Sequence, residues 1–85
     1  MNDHHEHLLL QMNHTQLTGL GCLAFLAIRE KSTLERQWKE WGFEDIPHET
    51  ILEFELEDDE LMELASAIAV YVLEDLNTTH EKAIA

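Results

Sequence analysis

Residues 59–76 carry an apolar repeat that admits one kind of backbone. Leu61, Leu64, Ala65, Ile68, Val72 and Leu76 recur at intervals of three and four. That spacing gathers side chains on one face of a helix and would scatter them over both faces of a strand. Asp58 or Asp59 stands where a helix cap is wanted, and Ala65 and Ala69 are small enough to let another helix cross closely. A second stretch, residues 16–31, repeats the pattern with Leu17, Leu20, Leu23, Ala24, Ala27 and Ile28. Phe25 and Leu26 widen its apolar face, so this helix is expected to be covered on more than one side, with Thr15 or Thr18 as its cap. Gly19 and Gly21 each cost about 1 kcal/mol relative to Ala inside a helix. Either the helix starts after them or a neighbouring backbone comes close.

Ser32, followed three residues later by Glu35, reads as a capping box. In the helix it would open, Leu34, Trp38 and Trp41 share one face, while Glu35 with Lys39 and Arg36 with Glu40 form i, i+4 pairs on the other. Gly42 is a natural left-handed stop. Residues 43–48 then form a connector, because Pro47 lacks a backbone donor and biases Ile46 away from the helix. The two tryptophans suit a core stripe between helices, or an interface, where tryptophan is over-represented. Residues 51–57 alternate Leu52, Phe54 and Leu56 with Glu53, Glu55 and Glu57, which is strand periodicity. No second alternating run exists to pair with such a strand, so a short helix or an extended packed segment is the expectation, and an intermolecular strand pair the lesser alternative.

The fold class that follows is all-α: a small single-domain bundle of three to four helices with a long amphipathic C-terminal helix. Its core sets helix 16–31 against helix 59–76, with Trp38 and Trp41 closing one side. Residues 1–14 form a polar, histidine-rich segment that frays or docks as a short helix, residues 15–77 the helical domain, and residues 78–85 a tail. The 85 residues are 45% hydrophobic, too apolar for a disordered acidic chain and too few for a barrel or a doubly wound nucleotide fold. A domain this small buries only about 60–65% of its unfolded surface, so a homodimer or a partner can contribute to its stability.

Charge narrows the function. Eighteen acidic side chains face five basic ones, a net charge of -13, which repels phosphate and argues against DNA, RNA and anionic membranes as direct partners. The sole cysteine, Cys22, precludes an internal disulfide and points to a reducing, cytoplasmic setting; it is expected to be buried as a small hydrophobe. The longest near-apolar run, residues 17–28, falls short of the ~20 residues that span a bilayer. No basic start precedes it, as a signal peptide would require, and Gly21-Cys22 lacks the flanking pattern of a lipoprotein site.

Ten carboxylates and no Lys or Arg fall within residues 44–63. The candidate partner-binding residues are Glu49, Glu53, Glu55, Glu57, Asp58, Asp59, Glu60 and Glu63. Were residues 53–57 extended, their carboxylates would repeat every ~6.7 Å along one side and could stand in for nucleic-acid phosphates. An acidic surface also steers toward basic partners. Solubility and helix capping are the plainer uses of the same residues.

Other chemistries are less well supplied. His4, His7 and His14 would share a face of one continuous helix and could bind zinc, although their spacing matches no established site and a terminus is the least ordered part of a chain. The acidic run lacks the glycine and Asp/Asn pattern of a calcium loop. No serine with a base, no phosphate-cradling glycine loop and no activated thiol is present, and His48 beside Asp45 and Glu49 is commonplace in an acidic chain. The helix holding both tryptophans mixes acids with its basic residues, unlike a DNA-reading helix. No catalytic residue, cofactor or metal ligand is therefore assigned. The expectation is a non-enzymatic, cytoplasmic regulator that binds another protein, as an inhibitor or decoy covering a basic nucleic-acid-binding surface. The alternatives are an adaptor, chaperone or antitoxin-like protein binding through an apolar helical face or dimer interface, and a metal-binding module built on the amino-terminal histidines.

Overall fold

The computed structural model describes residues 3–54 and 56–84, with side chains up to Leu76. Among the described residues there are five helices and no strand: α1 (Asp3–Leu10), α2 (His14–Arg29), α3 (Leu34–Trp41), α4 (His48–Leu52) and α5 (Asp58–Ile84). The all-α class holds, and the core is α2 against α5. Leu17, Leu20, Leu23, Ala24 and Ala27 of α2 are buried on Leu61, Leu64, Ala65 and Ile68 of α5. The two run antiparallel. His14 Nδ1 lies 3.0 Å from Asp75 Oδ2. Both glycines lie inside α2, where they make room for side chains rather than for another backbone: a Cβ on Gly21 would sit 3.0 Å from Ile68 Cγ2, and one on Gly19 would run into the Phe43 ring. α5 runs past Leu76 to Ile84, where a tail was expected to begin just after Asn77.

The starts of α2, α3 and α5 each depart from the expected cap by a residue or more, for local reasons. Asn13, not Thr15 or Thr18, caps α2: its side chain accepts the Gln16 N–H at 2.8 Å while Gln16 returns its Oε1 to the Asn13 N–H at 3.0 Å. This reciprocal box satisfies two groups the helix would otherwise leave unpaired. At α3, Thr33 replaces Ser32, accepting the Arg36 N–H at 3.1 Å, and the Ser32 hydroxyl is buried without a hydrogen-bond partner. At α5, the Glu57 carbonyl accepts the Leu61 N–H and Glu60 reaches back to the Glu57 N–H. Glu57 therefore takes the cap position expected of Asp58 or Asp59.

Helix ends follow the glycine only once. Gly42 terminates α3 with φ 62°, as its sequence position indicated. α2 instead stops at Arg29 through Lys31, whose φ is 53°; the Lys31 and Ser32 N–H groups bond back to Ile28 and Ala27. That is a Schellman closure made without glycine. Pro47 caps α4, and Glu53 ends it in right-handed helical geometry. Residues 51–54 are therefore helix and turn, not strand, with Ile51 and Phe54 buried.

α1 is docked. His5 and Leu9, one turn apart, face inward; the His5 ring lies 5.1 Å from Phe54 and its Nε2 donates to the Glu53 carbonyl at 2.9 Å. Two expectations about single residues are corrected. Cys22 is exposed, because α5 covers the other side of α2. Trp38 is half-buried and donates to the Ile46 carbonyl at 2.9 Å, whereas Trp41 is 66% exposed and only borders an open apolar hollow with Gly19, Cys22, Leu26 and Phe43. By angle Trp41 shares the face of Leu34 and Trp38; it is exposed nonetheless, being the last residue of α3, where the chain turns away at Gly42.

Candidate functional site

The starts of α3 and α5 and the end of α4 meet at one end of the molecule. Between them lies a hollow of about 410 Å³ lined by Thr33, Leu34, Glu35, Ile51, Phe54, Leu56 and Glu57. Its floor is apolar and two carboxylates stand in its wall. A neighbouring shallow depression is formed by Glu57, Asp58 and Asp59 alone. The chain folds this way locally because Pro47 turns α4 in, Phe54 anchors its end in the core, and the acids at 57–60 favour the positive end of α5.

Glu35 is the best-held carboxylate here. Lys39 Nζ at 3.2 Å and His48 Nε2 at 3.3 Å both reach it. Lys39 first, then His48, hold its carboxyl below the usual carboxylate range. His48 is fixed in turn by stacking on Trp38, with ring centroids 4.9 Å apart and planes 12° off parallel.

The structure brings some of the predicted residues together and separates others. Glu57, Asp58 and Asp59 share one depression; Glu60 bonds the Glu57 backbone, and Glu63 lies one turn further along α5. Glu49 is in the first turn of α4. Glu53 faces elsewhere, its carboxylate 2.6 Å from His4 Nε2. Glu55 lies outside the described residues. Because Glu53 is in a helical turn, it does not belong to an extended row of evenly spaced carboxylates. Glu49, Glu53, Glu57, Asp58, Asp59, Glu60 and Glu63 are all exposed. Among the described residues no Lys or Arg pairs with Glu49, Glu57, Asp58 or Asp59.

Glu35 and the apolar floor were not among the candidates. Sequence periodicity assigns Glu35 to an i, i+4 pair and says nothing of its approach to residues 20 positions away. Gln37 was missed as well. It is 1% exposed, donates to Glu30 at 2.9 Å, and leaves its Oε1 unpaired. The amino-terminal histidines do not converge: His4 meets Glu53, His7 meets Gln11 at 2.9 Å, and His14 meets Asp75. Among the described residues no three His, Cys, Asp or Glu side chains are grouped as metal ligands, and no helix is long and apolar enough to cross a membrane. Compared with known protein families, curated proteins and solved structures, the chain finds no match.

Proposed function

We propose that this protein is a non-enzymatic regulator that binds a partner protein through its acidic end, covering a basic surface that otherwise engages nucleic acid. The observation that supports this reading is the run of exposed carboxylates at Glu49, Glu57, Asp58 and Asp59 that, among the described residues, have no Lys or Arg partner, set beside an apolar hollow. A lysine or arginine side chain combines an aliphatic stem with a cationic head. The stem suits the floor of Leu34, Phe54 and Leu56, and the head suits the carboxylates of Glu35 and Glu57 in the wall. Exposed charge of one sign also accelerates encounter with a basic partner.

A pull-down from native lysate, washed at low and at high salt and read by mass spectrometry, identifies the partner. A basic nucleic-acid-binding protein released at high salt is the expected result. Binding of that partner should fall at least about tenfold in Glu49→Gln/Glu57→Gln/Asp59→Asn, with helix content unchanged. Unaltered affinity in the triple variant would sink the reading.

The second reading, an adaptor or antitoxin-like protein, rests on another surface: the open, apolar side of α2 and α5. It predicts partner binding that survives high salt and fails when Phe25 is replaced by a charged residue. The metal-binding reading lacks a grouped set of ligands among the described residues.

A further inference from the structure

α2 and α5 are free of charged side chains over the same height of the bundle. Residues 16–28 and residues 64–73 contain no Asp, Glu, Lys, Arg or His, and the two stretches lie side by side because Gly21 packs on Ile68. A helix that is apolar all round is normally covered all round. Here one side of the pair is open. Gly21, Cys22 and Phe25 on α2 and Ala65, Ala69 and Val72 on α5 enclose an apolar hollow of about 160 Å³. Phe25, 56% exposed, stands at its edge, and Met62, Leu73 and Leu76 are exposed further along α5.

We infer that this face is a homodimer interface, in which a second copy packs its own α2–α5 pair against the first to complete a four-helix bundle. Two features select a second copy as the occupant, and a third sets how tightly it is held. The first is self-complementarity. A two-fold interface uses the same patch twice, and this patch carries both a knob, Phe25, and a hole floored by the small residues Gly21, Ala65 and Ala69. The second is charge. Two chains of net charge -13 repel wherever their carboxylates face each other, and this band is where carboxylates are missing. With the copies antiparallel, the two acidic ends point to opposite ends of the bundle, beyond the ~10 Å over which exposed charges act at 0.1 M salt. The third is area. α2 is 16 residues long, about 24 Å, and two adjacent helices make a face about 20 Å wide. The outline is about 480 Å² per partner, smaller than the about 800 Å² of a standard interface, so the dimer is expected to be a weak one. This inference does not depend on the acidic-end reading, and salt separates the two: screening should strengthen a dimer of like-charged chains and weaken capture of a basic partner.

Sedimentation equilibrium of the full chain at micromolar concentrations tests it. Twice the chain mass is expected, with the dimer fraction rising as salt is added. Cys22 is central on α2 and exposed, so a short bis-maleimide should link two copies through it. Phe25→Glu and, from the opposite wall, Ala69→Glu should each return the protein to a single chain and abolish the cross-link, with circular dichroism checking that the helices persist. Both positions are exposed, so neither substitution buries a charge within the monomer. A single-chain mass for the unmodified protein at the highest micromolar concentration overturns the inference. So does a dimer that survives both substitutions or gives no Cys22 cross-link.

Discussion

Trp38 and His48 lie face to face, their ring centroids 4.9 Å apart, and through this stack α3 holds the first residue of α4. The same indole donates to the Ile46 carbonyl, so one side chain secures both the connector and the short helix it leads into. His48 then reaches Glu35 on α3, closing a loop of contacts around the wall of the acidic hollow.

The two tryptophans should therefore respond differently to removal. Trp38→Ala discards a partly buried ring and leaves the Ile46 carbonyl without its donor, a loss of about 2–4 kcal/mol. Trp41→Ala, at an exposed position, should stay within about 0.5 kcal/mol. Urea midpoints of the two variants at neutral pH compare them directly; equal losses would mean that both rings are core.

His4 and His5 are neighbours in sequence with unequal work. His5 is buried against Phe54 and bonded to the Glu53 carbonyl, so His5→Ala should cost about 1–3 kcal/mol and raise amide exchange throughout α1. His4 meets Glu53 on the surface, where such pairs contribute about 0–1 kcal/mol. His4→Ala should leave exchange in α1 nearly unchanged. The opposite order would mean that α1 is held by the surface pair.

Gly42 sits at φ 62° with nothing within 4 Å of where a Cβ would be. The cost of Gly42→Ala is thus conformational alone, about 1–2 kcal/mol. Gly42→Asn should cost less, because asparagine tolerates the left-handed region. Thermal unfolding of both variants checks the ranking, and equal stabilities would contradict the backbone assignment.

Glu35 carries a pH dependence whose sign is set by its partners. Lys39 and His48 lower its carboxyl in the folded protein from the ordinary value of 4.5. A lowered folded value favours the native state above the unfolded value, and that contribution disappears as pH falls through the folded one. Stability should therefore drop more steeply below about pH 4.5 in the parent chain than in Glu35→Gln. Urea midpoints measured from neutral pH down to pH 3 would show it; parallel curves would mean that the Glu35 contacts do not persist in solution.

Helix content was readable from periodicity, because spacings of three and four in α2 and α5 report one burial face whatever covers it. The glycine stop at Gly42 was readable too, since the left-handed conformation is a local property. The helix starts were less so. Asn13, Thr33 and Glu57 took the caps from nearby residues of similar chemistry, and which oxygen reaches which N–H depends on where the chain enters the helix. Residues 51–54 look like a strand because Leu52 and Phe54 alternate with glutamates, but the residues buried are Ile51 and Phe54, three apart, which a short helix and a turn place on one side and a strand would place on opposite faces.

What the amino-acid order settles by itself is local: which stretches are helical, where the chain turns, and that acids and apolar residues are segregated along it. Tertiary packing alone decides the rest. It selects Trp38 over Trp41, buries His5 while leaving Cys22 in solvent, brings Glu35 to Glu57, and leaves the α2–α5 face open. Each of these depends on the angle at which one helix meets another, and that angle is fixed by contacts between residues far apart in the chain, which no local pattern records.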